Sequence, residues 1–437
     1  MTDREVELLA VGAGPSNLAL AVALEELAPD LAANSLMIER AAAVQWQPGL
    51  LLPWAKSQAS FLKDLVTLRN PQSEFSFLNY LFTVGRLDDF VNMGSFTPYR
   101  QEISEYFSWV ASTLSKVSVE LNCGGSSVEP RRDAHGGLTG WLTRLADGST
   151  VSSRYLVIGI GRDPYVPPVF AGVPARHLVH STQYRPLVAR LDKESRYRVA
   201  VIGSAQSAAE MFRALQTDLP YAQITWVMRS IGIGAYEKTK FTNELYYPGY
   251  VDEFFQGRPD AREQLLREMH RTNYSGIEPP FVDSLYEDAY LDRLTKADDK
   301  KIITMTDINA VTETVGEVTL ELADRRTGAV TELATDLVFL GTGFVREMPA
   351  LIRRLGDALG LAEIQANRQY RLILDESSSA ACYLQGVNDA THGIGDPLLS
   401  VVACRASDIV HDILAHRDGA ADEAHRVQPL LSAGAAT

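Results

Sequence analysis

The first forty residues follow an apolar–polar order that defines three elements. Residues 5–12 form an apolar run that stops at a glycine, and a helical stripe of apolar side chains follows over about 17–27. A second short apolar run at 36–38 ends at Glu39. An apolar strand, a glycine turn, a helix and a second strand form the opening unit of a doubly wound sheet. The pattern therefore predicts a nucleotide-binding β–α–β unit at the start of the chain.

The same order returns in the middle of the chain. Residues 199–203 form an apolar strand that ends at a glycine, residues 207–215 show a helical pattern, and the strand at 224–228 ends at Arg229. Two such units predict an α/β fold with two Rossmann-like dinucleotide-binding domains.

Two further apolar runs, at 155–159 and 337–341, also end in glycine turns, which let a backbone pass close to a cofactor. The stretch 238–292 is aromatic and polar without long regular periodicity, and we expect a substrate-binding insertion there. The tail after about residue 416 is predicted to be frayed or disordered. The predicted division is a first part of an FAD domain at 1–190, an NADPH domain at 191–330 carrying the 238–292 loop, and the rest of the FAD domain with the tail at 331–437.

Composition narrows the class of protein. The 437 residues are 46% hydrophobic and 22% charged, which is typical of a soluble globular protein. A formal net charge of −14 disfavours binding to nucleic acid or to an anionic membrane. Three scattered cysteines predict neither a disulfide framework nor a zinc site, and no apolar run is long enough to span a membrane. We expect a cytoplasmic protein with no metal site.

The first glycine motif, 11–17, fits an adenine dinucleotide. Gly12 permits a tight turn, and Gly14 lets the backbone approach a pyrophosphate at the helix N-terminus. Glu39 can accept hydrogen bonds from the ribose hydroxyls. The third position of the fingerprint is Asn17, where glycine or alanine is usual.

The second glycine motif, 203–210, favours a different nucleotide. Ala205 replaces its middle glycine, and the following strand ends at Arg229 rather than at an acid. A cation there favours a ribose 2′-phosphate and hence NADPH. Because the chain has no Cys-x-x-Cys pair, the two sites predict a flavin enzyme reduced by NADPH whose oxidant is oxygen or an organic acceptor.

A third cluster resembles one family of such enzymes. The segments that carry the resemblance are Phe-Leu-Lys-Asp-Leu at 61–65, Asn-Pro at 70–71, 75–80, Thr-Asn-Glu at 242–244, Thr-Asn-Tyr-Ser at 272–275, Thr-His-Gly-Ile at 391–394 and Leu-Leu-Ser at 398–400. Together with both glycine motifs they closely resemble the flavin-dependent N-hydroxylating monooxygenases, the L-ornithine and L-lysine N-monooxygenases of siderophore synthesis. The resemblance spans nearly the whole chain.

The resemblance implies a role for each matching residue. Substrate binding is implied for Lys63, Asn243, Asn273 and Ser400, with Lys63 and Asn243 on the α-carboxylate and Ser400 at the amine end. FAD binding is assigned to Gly12, Gly14, Pro15, Ser16, Asn17, Glu39, Trp46, Gln58, Gly343 and Leu398. NADPH binding is assigned to Arg100, Gly203, Gln206, Ser207, Arg229 and Asn273. No catalytic side chain is implied, because a flavin hydroperoxide performs the chemistry. No role is assigned to His392, and Asp396 is interpreted as a helix N-cap rather than a base.

The reaction implied is hydroxylation of the L-ornithine side-chain amine with NADPH and O₂, for hydroxamate siderophores or related natural products. L-Lysine and a diamine stay open as substrates in place of ornithine, since one methylene is worth only about 1–3 kcal/mol in a pocket. Two different kinds of protein also stay open, a Baeyer–Villiger or sulfur-oxidising flavin monooxygenase and a non-catalytic flavin-binding protein. A homo-oligomer, dimer or tetramer, is expected.

Overall fold

The computed structural model describes residues 3–314, 316–374 and 378–419. The strands are β1 Asp3–Val11, β2 Ser35–Ile38, β3 Ser118–Glu120, β4 Gly125–Arg132, β5 Leu138–Leu145, β6 Thr150–Ile158, β7 Leu178–His180, β8 Arg198–Ile202, β9 Gln223–Val227, β10 Lys300–Ile303, β11 Thr306–Thr314, β12 Glu317–Asp324, β13 Val330–Thr335, β14 Leu337–Leu340 and β15 Ala381–Leu384. The helices are α1 Pro15–Leu27, α2 Pro29–Ala33, α3 Phe77–Thr83, α4 Leu87–Met93, α5 Arg100–Thr113, α6 Tyr184–Val188, α7 Gln206–Asp218, α8 Lys240–Glu244, α9 Tyr250–Gln256, α10 Pro259–Glu268, α11 His270–Asn273, α12 Pro279–Thr295, α13 Ala350–Leu359, α14 Asp389–His392 and α15 Leu399–Arg417.

The first sheet is built around β1. Strand β1 pairs in parallel with β2 on one side and with β6 on the other, and β3 and β15 extend the parallel part at its two edges. The β4–β5 hairpin adds antiparallel strands along the first half of β6. Helix α1 is apolar and buried from Leu18 to Leu24, as expected of a helix that covers a parallel sheet. The predicted opening β–α–β unit is confirmed.

The second sheet repeats the parallel arrangement. Its order is β10-β9-β8-β14-β7, and every neighbouring pair is parallel. Strand β8 lies in the centre and leads into α7, as β1 leads into α1. The α/β fold class with two Rossmann-like domains is therefore confirmed.

Two connectors run side by side between the two sheets. The backbone of 163–165, which follows β6, pairs with that of 343–345, which follows β14, through hydrogen bonds from Tyr165 to Gly343 and from Val345 to Asp163. A three-stranded antiparallel sheet, β11-β12-β13, packs beside the second sheet. The domain boundaries stay a prediction, and the second sheet takes in β7 and β14, which lie outside 191–330.

The insertion at 238–292 differs from the sequence expectation. Instead of an irregular loop it holds helices α8 to α11 and most of α12. The 17-residue helix α12 has apolar residues on several faces, since Leu285 is buried while Tyr290 and Leu294 are exposed, so no single apolar stripe marks it in the sequence. The tail after about residue 416 is predicted to be frayed, and helix α15 ends at Arg417. Residues 420–437 lie outside the described residues. None of the described helices is both long and apolar enough to cross a bilayer.

Candidate active site

The first glycine loop is shaped by close backbone packing. Gly12 has φ +93°, and a Cβ atom on it would lie 2.8 Å from the carbonyl oxygen of Gly159, which follows β6. Both the backbone angle and the lack of space therefore require glycine at position 12. Gly14 differs, because its φ is −77° and a Cβ would meet nothing nearer than 4.0 Å. Since the protein itself would tolerate a side chain at position 14, glycine there fits the approach of a ligand to the backbone.

Glu39 closes the other side of this loop. It stands just after β2, and its carboxylate accepts hydrogen bonds from the backbone N–H groups of Ala13 (2.8 Å) and Ala41 (2.9 Å). Pro15 is the first residue of α1, a position where a backbone N–H has no partner within the helix, so proline costs nothing there. Helix α1 therefore begins directly after Gly14, with the positive end of its dipole at the loop. These residues fit an adenine dinucleotide, with the pyrophosphate at the N-terminus of α1 and the ribose at Glu39.

The second glycine loop has the same architecture. Gly203 has φ +130°, and a Cβ atom on it would clash with the carbonyl of Gly341, which follows β14. Ala205 occupies the N-cap position of α7, the position that Gly14 holds for α1. Arg229 is exposed after β9, and among the described residues it forms no ion pair, so it can reach a phosphate. Ser207 lies half-buried in the first turn of α7.

Gln206 connects this loop to the helical insertion. Its side chain donates to Glu210 (2.9 Å) and accepts from the backbone N–H of Glu278 (3.0 Å), while its own N–H donates to the Gly276 carbonyl. A Cβ atom at Gly276 would lie within 3.0 Å of the Tyr236 backbone, so only glycine permits this approach. The insertion is therefore held against the second nucleotide motif.

Arg100 takes a different position from the one expected of a cofactor contact. It is the first residue of α5, and its guanidinium forms a two-pronged pair with the Glu210 carboxylate (2.7 and 2.8 Å) and donates to the Leu50 carbonyl (2.7 Å). Both Arg100 and Glu210 are buried. The pair joins the first domain to α7 of the second, and direct contact with NADPH stays a prediction.

Lys63 is a buried cation that lacks an anionic partner. Its ammonium nitrogen lies 4.4 Å from the centre of the Tyr247 ring, and no carboxylate of the described residues forms an ion pair with it. Burial, reinforced by the charge of Lys238, lowers the pKa of Lys63. The adjacent Asp64 does not neutralise it, because the Asp64 carboxylate accepts from the backbone N–H groups of 66, 67 and 77 and from the Thr67 hydroxyl. An anionic ligand would offset the desolvation of this charge.

The insertion brings the other predicted substrate residues towards Lys63. Tyr247, the partner of Lys63, follows α8, which carries Asn243. The neighbouring Tyr246 hydroxyl hydrogen-bonds Thr272 in α11, the helix that ends at Asn273. The Tyr246 ring packs with Met269 and Ile394, and Leu398 lies against the same cluster.

Ser400 completes this region. It is buried in the first turn of α15, two residues after the N-cap Leu398, at the helix end where backbone N–H groups lack intrahelical acceptors. The elements that carry Lys63, Asn243, Asn273 and Ser400 thus converge around the Tyr246–Tyr247 pair. Their roles toward substrate stay predictions.

The remaining predicted FAD residues lie on loops around this centre. Trp46 donates its backbone N–H to Ser104 and packs edge-on against Phe107. Gln58 is exposed and lies near Tyr236, whose pKa burial raises to about 12. Gly343 has φ +76° and lies in the connector between the sheets.

His392 and Asp396, which received no catalytic role, have structural partners. The His392 ring stacks on Tyr370 at 4.1 Å between centroids and bonds to the Thr391 hydroxyl and the Arg368 carbonyl. Burial lowers the pKa of His392 to about 4. The interpretation of Asp396 as a helix N-cap is wrong, because Leu398 holds that position before α15; the Asp396 carboxylate instead accepts from Arg405 (2.9 Å) and from the Asn388 N–H (2.7 Å).

Sequence reasoning missed two residues of the first site, Arg405 and Gln385. Arg405 is fully buried and donates to Ser16, Gln385 and Asp396. Gln385 donates to Asn17. The sequence signal was a charged residue inside the otherwise apolar stretch 401–406 of α15, which is rare without a buried partner.

Comparisons with known proteins agree with this geometry. The sequence model of the L-lysine 6-monooxygenase/L-ornithine 5-monooxygenase family matches residues 4–346. An L-ornithine N(5)-oxygenase of Arthrobotrys oligospora is 37% identical over 94% of this chain and 88% of its own length. The structure of the ornithine hydroxylase PvdA of Pseudomonas aeruginosa matches with a TM-score of 0.88 and 34% identity, covering 94% of this chain and 99% of that one. The ornithine N-hydroxylase KtzI of Kutzneria sp. 744, in a structure with reduced FAD, NADP⁺ and L-ornithine, matches with a TM-score of 0.86 and 31% identity over 94% and 100% of the two chains.

Two glycine loops, each backed by the glycine that follows a neighbouring strand, define two dinucleotide-binding folds, and together with the relatives they identify a flavin monooxygenase. The chain belongs to the L-lysine 6-monooxygenase/L-ornithine 5-monooxygenase family.

Proposed function

We propose that this chain hydroxylates the side-chain nitrogen of L-ornithine, using FAD, NADPH and O₂. The observation that carries the proposal is the buried, unpaired charge of Lys63 where α8, α11 and the start of α15 meet. A ligand with a carboxylate at one end and an amine at the other matches a cation at one side of the pocket and a hydroxyl, Ser400, at the other. The relatives named for ornithine support this substrate.

The first glycine loop is proposed to hold FAD. Gly12, Gly14, Pro15, Ser16 and Asn17 would surround the pyrophosphate, and the further contacts expected for FAD come from Glu39, Trp46, Gln58, Gly343 and Leu398. The second loop is proposed to hold NADPH through Gly203, Gln206, Ser207 and Arg229, with Asn273 and Arg100 nearby. When bound, reduced FAD activates O₂ and supplies the oxygen atom, so the protein needs no nucleophile of its own.

The residues of the chain then have positioning tasks. Lys63 and Asn243 would fix the α-carboxylate, and Asn273 the α-amino group, so that the side-chain amine reaches the flavin face near Ser400. The amine must be neutral to attack oxygen, although a free alkyl ammonium has a pKa of about 10.4. Burial of the amine end beside Ser400 favours the neutral form, because desolvation disfavours the ammonium.

A product assay tests the proposal. Purified protein with FAD and NADPH should convert L-ornithine to a hydroxylamine faster than L-lysine, putrescine or cadaverine. Faster turnover of lysine would assign the longer substrate. A diamine has no carboxylate to pair with Lys63. Preference for a diamine would therefore show that the carboxylate is not needed for substrate recognition. Use of the product for hydroxamate siderophores, the cytoplasmic location and the homo-oligomer stay predictions.

A further inference from the structure

Arg405 lies at the centre of a buried hydrogen-bond network behind the first glycine loop. Its side chain has no solvent exposure, and its three nitrogens donate to Gln385 Oε1 (3.0 Å), Asp396 Oδ1 (2.9 Å) and O (2.6 Å), and Ser16 Oγ (2.7 Å). The residues it joins come from three separate elements: the start of α1, the segment after β15 and the loop before α15. A guanidinium is suited to this task, because its donors point in fixed directions.

One branch of the network explains the unusual Asn17. The Asn17 amide donates to the carbonyls of Val11 (2.9 Å) and Gly12 (2.7 Å), and its oxygen accepts from Gln385 (2.7 Å). Asn17 therefore fixes the turn of the glycine loop from inside. A Cβ atom on Gly159 would lie 2.8 Å from the Asn17 amide, so position 159 must stay glycine while Asn17 keeps this place.

The other branch reaches the amine end of the substrate pocket. Asp396 holds Arg405 with one carboxylate oxygen and the backbone N–H of Asn388 with the other. Asn388 in turn donates to the Leu384 carbonyl at the end of β15. This fixes the two ends of the 388–396 segment, and α15, with Ser400 in its first turn, begins three residues later.

We propose that Arg405 is a positioning residue that sets the glycine loop and the Ser400 end of the pocket in one fixed relation. It acts through Ser16, Gln385 and Asp396 and touches no substrate. The inference rests on the proposed function in assigning FAD to the first loop and the amine end of the substrate to Ser400. A misplaced loop would weaken FAD binding, and a misplaced Ser400 end would let NADPH be oxidised without oxygen transfer to the amine.

The test compares Arg405→Lys with Asp412→Asn in the full chain. Lysine keeps the charge but cannot make the three-way contact. Asp412 lies near the other end of α15, where it accepts from Tyr383 and pairs with Arg371, so its substitution disturbs a buried polar contact of the same helix away from the loop. The measurements are the FAD dissociation constant, by fluorescence titration, the hydroxylated product formed per NADPH at saturating FAD, and the melting temperature.

Arg405→Lys should raise the FAD dissociation constant about tenfold, because Ser16 and the glycine loop lose the partner that holds them in place, and should lower the product per NADPH. Asp412→Asn should lower only the melting temperature. An Arg405→Lys protein with the wild-type dissociation constant, or with the wild-type product ratio, would overturn the proposal.

Gln385→Met provides a second route if Arg405→Lys does not fold. It fills the same space but removes the bonds to Arg405 and Asn17, and the same two quantities decide. If the wild type hydroxylated no amine, the proposed function would fail, and the FAD dissociation constants alone would decide whether Arg405 and Gln385 position the loop.

Discussion

The ammonium nitrogen of Lys63 lies 4.4 Å from the centre of the Tyr247 ring, and this contact joins the first domain to the helical insertion of the second. The aromatic ring stabilises the cation only in part, by about 0.5–2 kcal/mol. Substrate binding is therefore expected to complete the environment of Lys63 rather than to compete with a protein carboxylate.

Lys63→Met should raise the KM for L-ornithine about tenfold to a hundredfold, because a charge-assisted hydrogen bond to the carboxylate is lost. The KM for NADPH should change far less. Steady-state kinetics of both substrates give the answer. The control is Lys56→Met. Lys56 is exposed, and its ammonium nitrogen also lies over an aromatic ring, 5.5 Å from the centre of Tyr99. An ornithine KM equal to that of the wild type would remove Lys63 from the carboxylate site.

Arg229→Ala should narrow the preference for NADPH over NADH by about tenfold or more, because the exposed guanidinium after β9 is proposed to bind the 2′-phosphate. The ratio of kcat/KM values for the two nucleotides is the measurement. Lys301→Ala, which removes an exposed cation from neighbouring β10, serves as the control. An unaltered ratio in Arg229→Ala would reject the 2′-phosphate role.

Variants of the Arg100–Glu210 pair can distinguish a structural role of Arg100 from direct contact with the cofactor. Arg100→Met should lower the free energy of unfolding by about 3–5 kcal/mol, because it leaves a buried carboxylate unpaired. The double variant Arg100→Met, Glu210→Met should recover most of that loss in denaturant unfolding. If Arg100 acts only through Glu210, the KM for NADPH should recover as well. A KM that stays raised in a stable double variant would instead support direct contact with NADPH.

The pH dependence of stability should carry the signature of His392. Its pKa is about 4 when folded and 6.5 when free, so between these values the unfolded chain binds a proton that the folded chain does not. The contribution of neutral His392 is complete above pH 6.5 and falls by about 3 kcal/mol as the pH drops towards 4. Denaturant unfolding at pH 7 and pH 4.5 should show a smaller pH effect in His392→Gln than in the wild type. His411→Gln, at an exposed position, should keep the wild-type difference, and equal pH effects in all three proteins would contradict the assignment.

The sequence could predict the two nucleotide folds because their signals are local. Continuous apolar strands ending in glycine and the acid or cation after the next strand are read within about 30 to 40 residues. The helical insertion could not be predicted in this way, since α12 has apolar residues on several faces, and its packing on the second domain through Phe281, Val282 and Leu285 is visible only in the fold. Arg405 and Gln385 were missed for a related reason. Gln385 lies 368 positions from its partner Asn17, and only the fold brings them together.

Arg100 was assigned to NADPH binding from a sequence motif, but the motif does not reveal its buried partner. Its partner Glu210 lies 110 positions away, and both sequence neighbourhoods are compatible with a nucleotide contact. The buried two-pronged pair becomes visible only when α5 and α7 are placed side by side.

The account depends most on oxygen reaching the side-chain nitrogen of ornithine, and turnover under ¹⁸O₂ tests this directly. With FAD, NADPH and L-ornithine, mass spectrometry should find one ¹⁸O atom in the product, and fragmentation should place it on the side-chain nitrogen. The amount should match the NADPH consumed. Oxidation of NADPH with release of hydrogen peroxide, and no ¹⁸O in ornithine, lysine, putrescine or cadaverine, would contradict the account.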